Sequence, residues 1–473
     1  MKKTPILSIL KNERGISAII VGGFILFVGI GIAAFVIDFG YRHVAQNQLH
    51  NAADAGALAG ARALYYEDGT GVNHDGNDLT GQWTLSANKI AYDAAVGNNS
   101  AGTSVEVNWT SNTNGPEVQR GHWSFATHTF IADNATAAID LGLYSENELD
   151  ADHDSAGNQI HFINAVKVIT RRQSTPVSTI FGKIFGQQSF TLSAEAVAYR
   201  GFAGKLAPGE VDIPIAVCAQ SICDDANGNG VCDPGEPLDC SYGRMLNSGM
   251  SNNDHNTAGW TNFMEDCTTA NKPSMLPILQ GCNGNPDPIH LGETVGTTGG
   301  VDQAVLTHPV DADLIDCWKG ASYDLDGDGV RETLLDADGD GMPEYPWEVK
   351  VPVIDCPANN VGPCSKVLGA MSVTVIWILV KENDIDNDAP YQMYNAATDT
   401  MWSNSSVVGA DRWDEFVNIF NLRMVDGQLA TVANGGFKKK SVYFLLECQW
   451  TEPTGGTGGH NFGVLAKIPV LVE

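Results

Sequence analysis

Oxygen-bearing side chains occupy positions 1, 3, 5, 9 and 12 of one twelve-residue run, DANGNGVCDPGE. Alternate residues of a tight loop direct their oxygens at one centre, and a glycine at position 6 permits the sharp turn. Position 7 offers a backbone carbonyl, position 9 binds directly or through water, and a glutamate at position 12 can bind a cation with both oxygens. This spacing predicts a first calcium loop with the ligands Asp225, Asn227, Asn229, Val231, Asp233 and Glu236.

A second acidic block reads DLDGDGVRETLLDADGDGMPEYPWE and contains two Asp-x-Asp-Gly-Asp-Gly units that start twelve residues apart. Position 12 is occupied by Leu335 in one unit and Trp347 in the other, so the last ligand must come from a shifted turn or from elsewhere. The second calcium loop has the predicted ligands Asp324, Asp326, Asp328 and Glu332, and the third has Asp336, Asp338, Asp340 and Glu344.

The three calcium loops resemble known calcium-binding repeats. The first resembles an EF-hand loop, but Cys232 lies inside it and no amphipathic helices flank it, so we expect the loop without its two helices. The second and third resemble the loops of thrombospondin type 3 and dockerin-like repeats. The alternative for all three is a solvated acidic turn, because Asp and Gly are common in turns. Two looser acidic groups, at 150–154 and 384–388, lack the glycine and are predicted to be such turns.

An uncharged apolar run at residues 16–37 is the element that would hold this chemistry at a membrane. Its 22 residues cover about 33 Å at ~1.5 Å per residue, enough for a bilayer core of roughly 30 Å. An excess of basic residues before the run predicts a cytoplasmic N-terminus and places everything after Asp38 outside. Four basic residues precede the run and one follows it closely: Lys2, Lys3, Lys11, Arg14 and Arg42.

Two alternatives to this uncleaved anchor stay open. A secretory signal peptide also begins with basic residues, but its apolar core is usually about 7–15 residues and ends at a small-residue cleavage site. The second alternative is a prepilin-type cut after Gly15, although Ile20 replaces the acidic residue that such signals carry five positions later.

Glycines along the same segment predict close packing with another helix. Gly22, Gly23, Gly29 and Gly31 lie in the span, and Gly56-x-x-x-Gly60 follows it. Residues without bulk at helical spacing let a second helix approach closely, so other subunits are the expected partners. The alternative is that the Ala-rich stretch after the span packs on the globular part of this protein.

Residues 11–64 resemble the N-terminal domain of the tight-adherence (Tad, or Flp) pilus-assembly family, the TadE/TadG-like proteins. The resemblance is carried by ERG before the span, IDFG at its exit and NAADAGALAGA at 51–61. A second stretch, residues 163–201, looks like the tail of the extracellular module that follows this anchor. The Asp-x-Ser-x-Ser loop of the von Willebrand A domain, which larger TadG proteins carry, does not occur.

The resemblance implies a membrane-anchored structural or assembly component of a Tad pilus or secretion apparatus. Its location would be the bacterial inner membrane, with the bulk of the chain periplasmic or extracellular, or incorporated in a surface filament. Other pilus-assembly or pilin subunits would be its partners through the N-terminal helix. The alternatives are a self-polymerising pilin-like subunit, a surface adhesin with a cell-surface receptor, and a membrane-tethered extracellular hydrolase.

All ten cysteines follow residue 210, in the part predicted to lie outside the cytoplasm. An even number there predicts disulfides, up to five of them. The absence of Cys-x-x-Cys and of histidines in step with the cysteines argues against a structural zinc site. Connectivity cannot be deduced from sequence, but the local pairs Cys356–Cys364 and Cys267–Cys282 are the first to test.

The expected fold class is α+β, with a long N-terminal transmembrane helix followed by β-rich extracytoplasmic domains whose long loops are stapled by disulfides and calcium. Predicted domains are 1–66 (anchor and extended helix), 67–204 (α+β module) and 205–473 (Cys-rich, calcium-binding and β-rich). A helix is predicted near 86–96, and an amphipathic turn or helix is predicted after Pro176. Alternating or β-branched runs predict strands at 104–109, 122–131, 160–170, 189–200, 211–218, 347–355, 371–381, 441–450 and 461–472.

Charge and motif content disfavour several function classes. The formal net charge of −29 repels a phosphate backbone and, outside the span, an anionic lipid surface, so no nucleic-acid partner is expected. The sequence has no His-Glu-x-x-His, no Gly-x-Ser-x-Gly and no phosphate-binding glycine loop, and its eleven histidines do not cluster. We therefore expect a protein that is not an enzyme.

Overall fold

A single long helix, α1 (Glu13–Arg62), forms the N-terminal part of the computed structural model. The structure describes residues 13–64, 86–109, 113–135, 139, 141–223, 238–247, 258–299, 303–306, 313–325, 330–357, 360–424, 426–451 and 453–472, apart from the side chains of residues 13–16, 448 and 449. Residues 17–62 form a helix that is long and apolar enough to cross a membrane.

The two halves of α1 have opposite surroundings. In the first half large apolar side chains are exposed, for example Phe27 at 72% and Phe35 at 67%. In the second half the residues that face inward are small or apolar and fully buried, among them Leu49, Ala53 and Ala57. Alanine favours the helix and lets it lie close to a sheet, so one continuous helix joins the apolar run to the rest of the protein.

The other helices in the described part of the chain are short. The structure forms α2 (Ala87–Val96), α3 (Glu146–Ala151), α4 (Ala219–Ile222), α5 (Lys272–Leu279), α6 (Gln303–Leu306), α7 (Leu314–Gly320), α8 (Ile385–Asp388) and α9 (Gly409–Ile419), with 3₁₀ turns at Leu141–Leu143 and Gly182–Phe185. Ser86 begins α2 because its hydroxyl accepts the N–H of Lys89 at 2.9 Å.

The described strands, in chain order, are β1 (Asn99–Ser100), β2 (Thr103–Ser104), β3 (Val118–Ser124), β4 (Thr129–Ala132), β5 (Ala165–Ser178), β6 (Ser189–Tyr199), β7 (Lys205–Leu206), β8 (Ile215–Cys218), β9 (Arg244–Asn247), β10 (Ala258–Thr261), β11 (Ile289–His290), β12 (Thr294–Thr298), β13 (Ser322–Tyr323), β14 (Thr333–Leu334), β15 (Trp347–Ile354), β16 (Cys364–Leu379), β17 (Gln392–Asn395), β18 (Thr400–Ser403), β19 (Ser441–Trp450) and β20 (Val470–Leu471).

The first sheet is antiparallel and has five strands in the order β20-β6-β5-β3-β4. The buried half of α1 and helix α2 cover it, and their alanines pack against valines and alanines of β5 and β6. The pair β5–β6 is a long hairpin whose register runs from Ala165↔Tyr199 to Ser178↔Ser189. Alternation of apolar residues along β5 places Val166 and Val168 under the helices.

The second sheet has seven strands in the order β12-β10-β8-β15-β16-β19-β9. Its neighbours are antiparallel except for β8 and β15, which run parallel. The largest core of the protein lies on this sheet and includes Trp260, Trp318, Trp377 and Trp413, each at most 2% exposed. Most of the apolar run predicted at 371–381 lies in β16, an interior strand of this sheet, which confirms that it is a buried strand.

The end of the chain returns to the first sheet. Strand β20 pairs with β6 in the register Val470↔Tyr199, and Leu465 is buried in the core under α1 and α2. His460 and Asn461 contact Glu146 on α3. The predicted boundary at residue 204 stays a prediction, but the last residues of the chain belong structurally to the sheet that precedes it.

Three disulfides are described, and they differ from the predicted local pairs. The bonds join Cys218 to Cys356, Cys267 to Cys364 and Cys282 to Cys317 across sequence separations of 138, 97 and 35 residues. The pairings Cys356–Cys364 and Cys267–Cys282 are therefore wrong. Strand pairing is the reason: Ile354 lies opposite Cys218 in the parallel pair β8–β15, which brings Cys356 close to the end of β8.

The α+β class is confirmed: a long apolar N-terminal helix precedes β-rich parts that are cross-linked by disulfides. Stapling by calcium stays a prediction.

Candidate metal centre and membrane anchor

The third calcium loop lies between β14 and β15, on the connection that leads into the second sheet. Leu335, directly before the loop, makes two backbone hydrogen bonds. Its N–H donates to the carbonyl of Ala321 at 2.8 Å, and its carbonyl accepts the N–H of Glu344 at 2.7 Å. Leu335 is itself fully buried. The loop therefore begins and ends against the core, and its first and ninth positions are neighbours in space.

Four carboxylates converge inside this loop. One oxygen from each of Asp336, Asp338, Asp340 and Glu344 lies within 4.8 Å of all the others. The backbone turns sharply at two glycines with positive φ, 75° at residue 339 and 93° at residue 341, a conformation that side chains disfavour. Oxygen ligands in a glycine-bearing turn are what a hard cation such as Ca²⁺ binds.

The electrostatics of the cluster are unfavourable without a cation. Glu344 is 4% exposed. Its burial, together with the nearby charges of Asp338, Asp336 and Asp340, raises its pKa. A hydrogen bond from the N–H of Ala337 lowers the pKa but does not cancel this increase. One oxygen of Asp336 is buried and accepts no hydrogen bond in the part of the chain that the structure describes. A buried carboxylate oxygen beside like charges is stabilised by a bound cation.

The second calcium loop repeats one bond of the third. The Oε2 atom of Glu332 accepts the N–H of Leu325 at 2.9 Å, and the Oε2 atom of Glu344 accepts the N–H of Ala337 at 2.8 Å. Each bond joins position 9 of its loop to position 2. In the third loop position 9 supplies the fourth carboxylate of the cluster. The ligand that would replace position 12 stays a prediction.

Most of the other predicted ligands lie outside the described residues. In the second loop Asp324 and Glu332 are described and Asp326 and Asp328 are not. The whole first calcium loop is outside as well, with its ligands Asp225, Asn227, Asn229, Val231, Asp233 and Glu236.

The two looser acidic groups bind backbone N–H groups of nearby turns. Asp150 accepts the N–H of Phe125 at 2.6 Å, and Asp154 accepts that of Asn158 at 2.8 Å. In the other group Asp386 accepts the N–H that begins α9 at 2.7 Å. These carboxylates hold turns and helix ends.

The apolar half of α1 meets the first sheet at Asp38, directly after the predicted span. Asp38 is 6% exposed and accepts the backbone N–H groups of Ile180, Phe181 and Gly182 at 2.6, 3.0 and 2.5 Å. These three residues belong to the connection between β5 and β6. The sequence identifies Asp38 only as part of the exit motif, and an acidic residue at the end of an apolar run is the signal of its further role.

Beyond Asp38 the helix is fixed to its own module. A Cβ atom on Gly60 would lie 2.8 Å from the Cβ of Ala91 and from a methyl of Val166, and one on Gly56 would lie 2.9 Å from the carbonyl of Ala91. These glycines therefore serve the contact between α1, α2 and β5. Of the two alternatives for Gly56-x-x-x-Gly60, the structure shows packing on the protein's own globular part.

The glycines of the span have no such neighbour. Around Gly22, Gly23, Gly29 and Gly31 a Cβ atom would meet nothing within 4 Å among the described residues. Within the described part of the chain, these four glycines therefore leave room for another helix to approach closely.

The fold so far defines a helix-anchored α+β protein, and comparison with known families gives its class a name. Residues 15–63 match the family described as putative Flp pilus-assembly TadE/G-like, and residues 59–198 match the family described as putative Tad-like Flp pilus-assembly. The N-terminal part of the chain, residues 15–198, belongs to the Tad/Flp pilus-assembly family, which confirms the resemblance. No curated protein and no solved structure matches the chain.

The matched regions cover α1, α2 and most of the first sheet. They support a component of Tad pilus assembly with a structural or assembly role, and the apolar N-terminal helix suggests a membrane anchor. The second sheet and the calcium loops lie beyond the matched residues.

Proposed function

We propose that the protein is a single-pass inner-membrane component of a Tad pilus or related secretion apparatus, with its N-terminus in the cytoplasm and both sheets outside. The observation that carries this proposal is the continuity of α1, which passes from an exposed apolar half into a half buried on a Tad-family module. The basic residues before the span supply the orientation.

Fusions to alkaline phosphatase, which is active only outside the cytoplasm, test the orientation. A fusion after Leu64 should be active, and a fusion after Arg14, before the span, should be inactive. A green fluorescent protein fused at the same two positions should give the opposite pattern. Phosphatase activity at position 14 but not at position 64 would show that the orientation is inverted.

We propose that partner helices of other assembly or pilin subunits bind the exposed half of α1. Gly22, Gly29 and Gly40 are about two and three helical turns apart, so they share one face of the helix. A self-polymerising filament subunit would use the same face. Mass spectrometry of the mature N-terminus distinguishes these two roles. A filament subunit is expected to be cut after Gly15, whereas an assembly component is expected to keep an intact N-terminus.

We propose further that Ca²⁺ binds the third calcium loop, and by the same pattern the first and second, and stabilises the outward part of the protein. The support is the convergence of Asp336, Asp338, Asp340 and Glu344, with one buried oxygen that has no hydrogen-bond partner among the described residues. An ion that binds only the folded state stabilises it by RT ln(1 + [L]/Kd), about 2.7 kcal/mol at an ion concentration of ~100 Kd.

Thermal unfolding of the full-length protein in detergent tests the calcium proposal. Calcium should raise the melting temperature over roughly 10⁻⁴ to 10⁻³ M, the range of many extracellular sites. Asp336→Asn should reduce this increase, whereas Asp384→Asn, in an acidic group without the glycine turn, should leave it unchanged. A melting temperature that does not respond to calcium while the disulfides are intact would show that the loops are ordinary acidic turns.

A further inference from the structure

The connection between β5 and β6 presents apolar side chains to its surroundings. Ile180, Ile184 and Phe185 are 54%, 77% and 65% exposed and lie within six residues of one another. The 3₁₀ turn Gly182–Phe185 projects them from the end of the hairpin. We call residues 179–186 the hairpin tip. A contiguous exposed apolar patch is a sign of an interaction surface, whereas scattered apolar residues are not.

The hairpin tip lies at the level where the span ends. Asp38 follows the 22-residue apolar run, whose length of about 33 Å matches a bilayer core of roughly 30 Å, so Asp38 falls at the outer boundary of that core. The three hydrogen bonds from the tip to the Asp38 carboxylate hold the tip at the same level, beside the helix.

Charge around the tip suits a lipid headgroup layer. The chain has a net charge of −29, yet residues 173–194 contain no acidic residue. Lys183 is exposed at the tip, and the guanidinium of Arg42 on α1 lies 5.6 Å from the ring of Phe190. Basic and aromatic residues that flank an apolar surface are typical of segments lying at a membrane interface.

We propose that the hairpin tip is a second membrane contact, inserted among the headgroups and upper acyl chains of the same leaflet that α1 leaves. The proposal rests on the anchor proposed above. A single helix can turn about its own axis in a bilayer, and flanking interfacial residues are what set its tilt and rotation. With the tip inserted, the first sheet has one orientation over the membrane, which fixes the face that it presents to other assembly subunits.

Depth measurements on the full-length protein in phosphatidylcholine vesicles test this proposal. Three variants each carry one introduced cysteine labelled with an environment-sensitive fluorophore: Ile184→Cys at the tip, Ile32→Cys in the span and Ile131→Cys on β4. Ile32 and Ile131 are 62% and 55% exposed, so the label is tolerated at both. A lipid with a nitroxide near the top of its acyl chain quenches a fluorophore that reaches the bilayer.

Position 131 is a matched control because it lies at the far end of the module. Strand β4 pairs with the end of β3 that lies beside Ala165. Arg200, which lies near Ala165, donates to the carbonyl of Arg62 at the end of α1. Arg62 is 24 residues beyond Asp38, a distance of about 36 Å along the helix.

The Ile184→Cys label should be quenched roughly twofold or more above the Ile131→Cys label and its emission should shift to the blue, as for a segment buried ~5–10 Å in the interface. If only the Ile32→Cys label is quenched, the anchor stands and the tip proposal is overturned. Aqueous iodide then tells whether the tip lies in water or is covered by a second copy of the chain. If the Ile32→Cys label is not quenched, the anchor itself fails and the tip proposal fails with it.

Discussion

The carboxyl group of Glu344 makes the stability of the third calcium loop depend on pH. Burial and three neighbouring aspartates raise the pKa of its carboxyl group in the folded protein above the value of the unfolded chain. A carboxyl group whose folded pKa is raised holds its proton more tightly in the folded state. Its contribution to stability is therefore fully present below the unfolded pKa, about 4.3, and is lost as pH rises through the folded pKa.

In the presence of a chelator, the melting temperature of the full-length protein should fall as pH rises from about 4.3 through the raised pKa of Glu344. Glu344→Gln should lack this part of the decrease, because an amide has no charge to repel Asp336, Asp338 and Asp340. Exposed Glu293 supplies the isosteric control Glu293→Gln. Equal pH slopes for the wild type and both variants would contradict the cause assigned to the raised pKa.

Helix α1 has one half that packs inside the protein and one that does not, and glycine substitutions distinguish them. Gly60→Leu should destabilise the first module by about 1–3 kcal/mol or more, because the new side chain meets Ala91 and Val166. Gly29→Leu meets nothing in the described chain, so it should leave the melting temperature unchanged and reduce pilus assembly.

Thermal unfolding and a count of surface pili measure the two effects separately. Normal assembly with Gly29→Leu would show that no partner helix packs on that face. An unchanged melting temperature with Gly60→Leu would contradict the internal packing of α1.

Elements whose signals are local were predicted well from the sequence. The helix predicted at 86–96 forms as Ala87–Val96, and the strand predicted at 441–450 forms with the same bounds. Both have a clear periodicity and a polar or glycine-rich start. The run predicted at 122–131 is instead a hairpin, because a turn at 125–128 separates β3 from β4.

The features that could not be predicted from the sequence depend on contacts between distant residues. The strand predicted at 461–472 shortens to Val470–Leu471, because pairing with β6 decides its extent. The disulfide partners depend on strand order in the same way. In the third calcium loop the ligand residues followed from spacing, whereas the buried state of Glu344 depends on how Leu335 closes the loop.

At the scale of the whole molecule, the disulfides differ in how much chain they constrain. In the chain-entropy description, a cross-link stabilises more when it closes a longer loop. The Cys218–Cys356 bond spans 138 residues and the Cys282–Cys317 bond spans 35. Replacing the first pair with serine should therefore cost about 1 kcal/mol more than replacing the second.

Chemical denaturation of the two serine variants, with the remaining disulfides verified by mass spectrometry, measures this difference. A larger loss from the Cys282–Cys317 variant would show that local packing of the bond outweighs loop closure.

The returning C-terminus makes the Tad-family module depend on the end of the chain. Leu465 is 4% exposed in the core of that module, β20 pairs along β6, and Glu146 accepts the N–H of Asn461 at 2.8 Å. A protein that stops at residue 204 leaves the outer edge of β6 unpaired and the Leu465 site open to water. Exposed strand edges and apolar cavities both destabilise a fold.

Residues 1–204 alone should therefore unfold at a lower temperature and be digested faster by protease than the same module in the full-length protein. Joining residues 453–473 to residue 204 through a short Gly-Ser linker should restore resistance, because the N–H of Gly204 already lies 3.1 Å from the carbonyl of Gly456. The same fusion with Leu465→Asp should not restore it, since a carboxylate would be buried in an apolar core. Full resistance of residues 1–204 alone would mean that the module is complete without the returning segment.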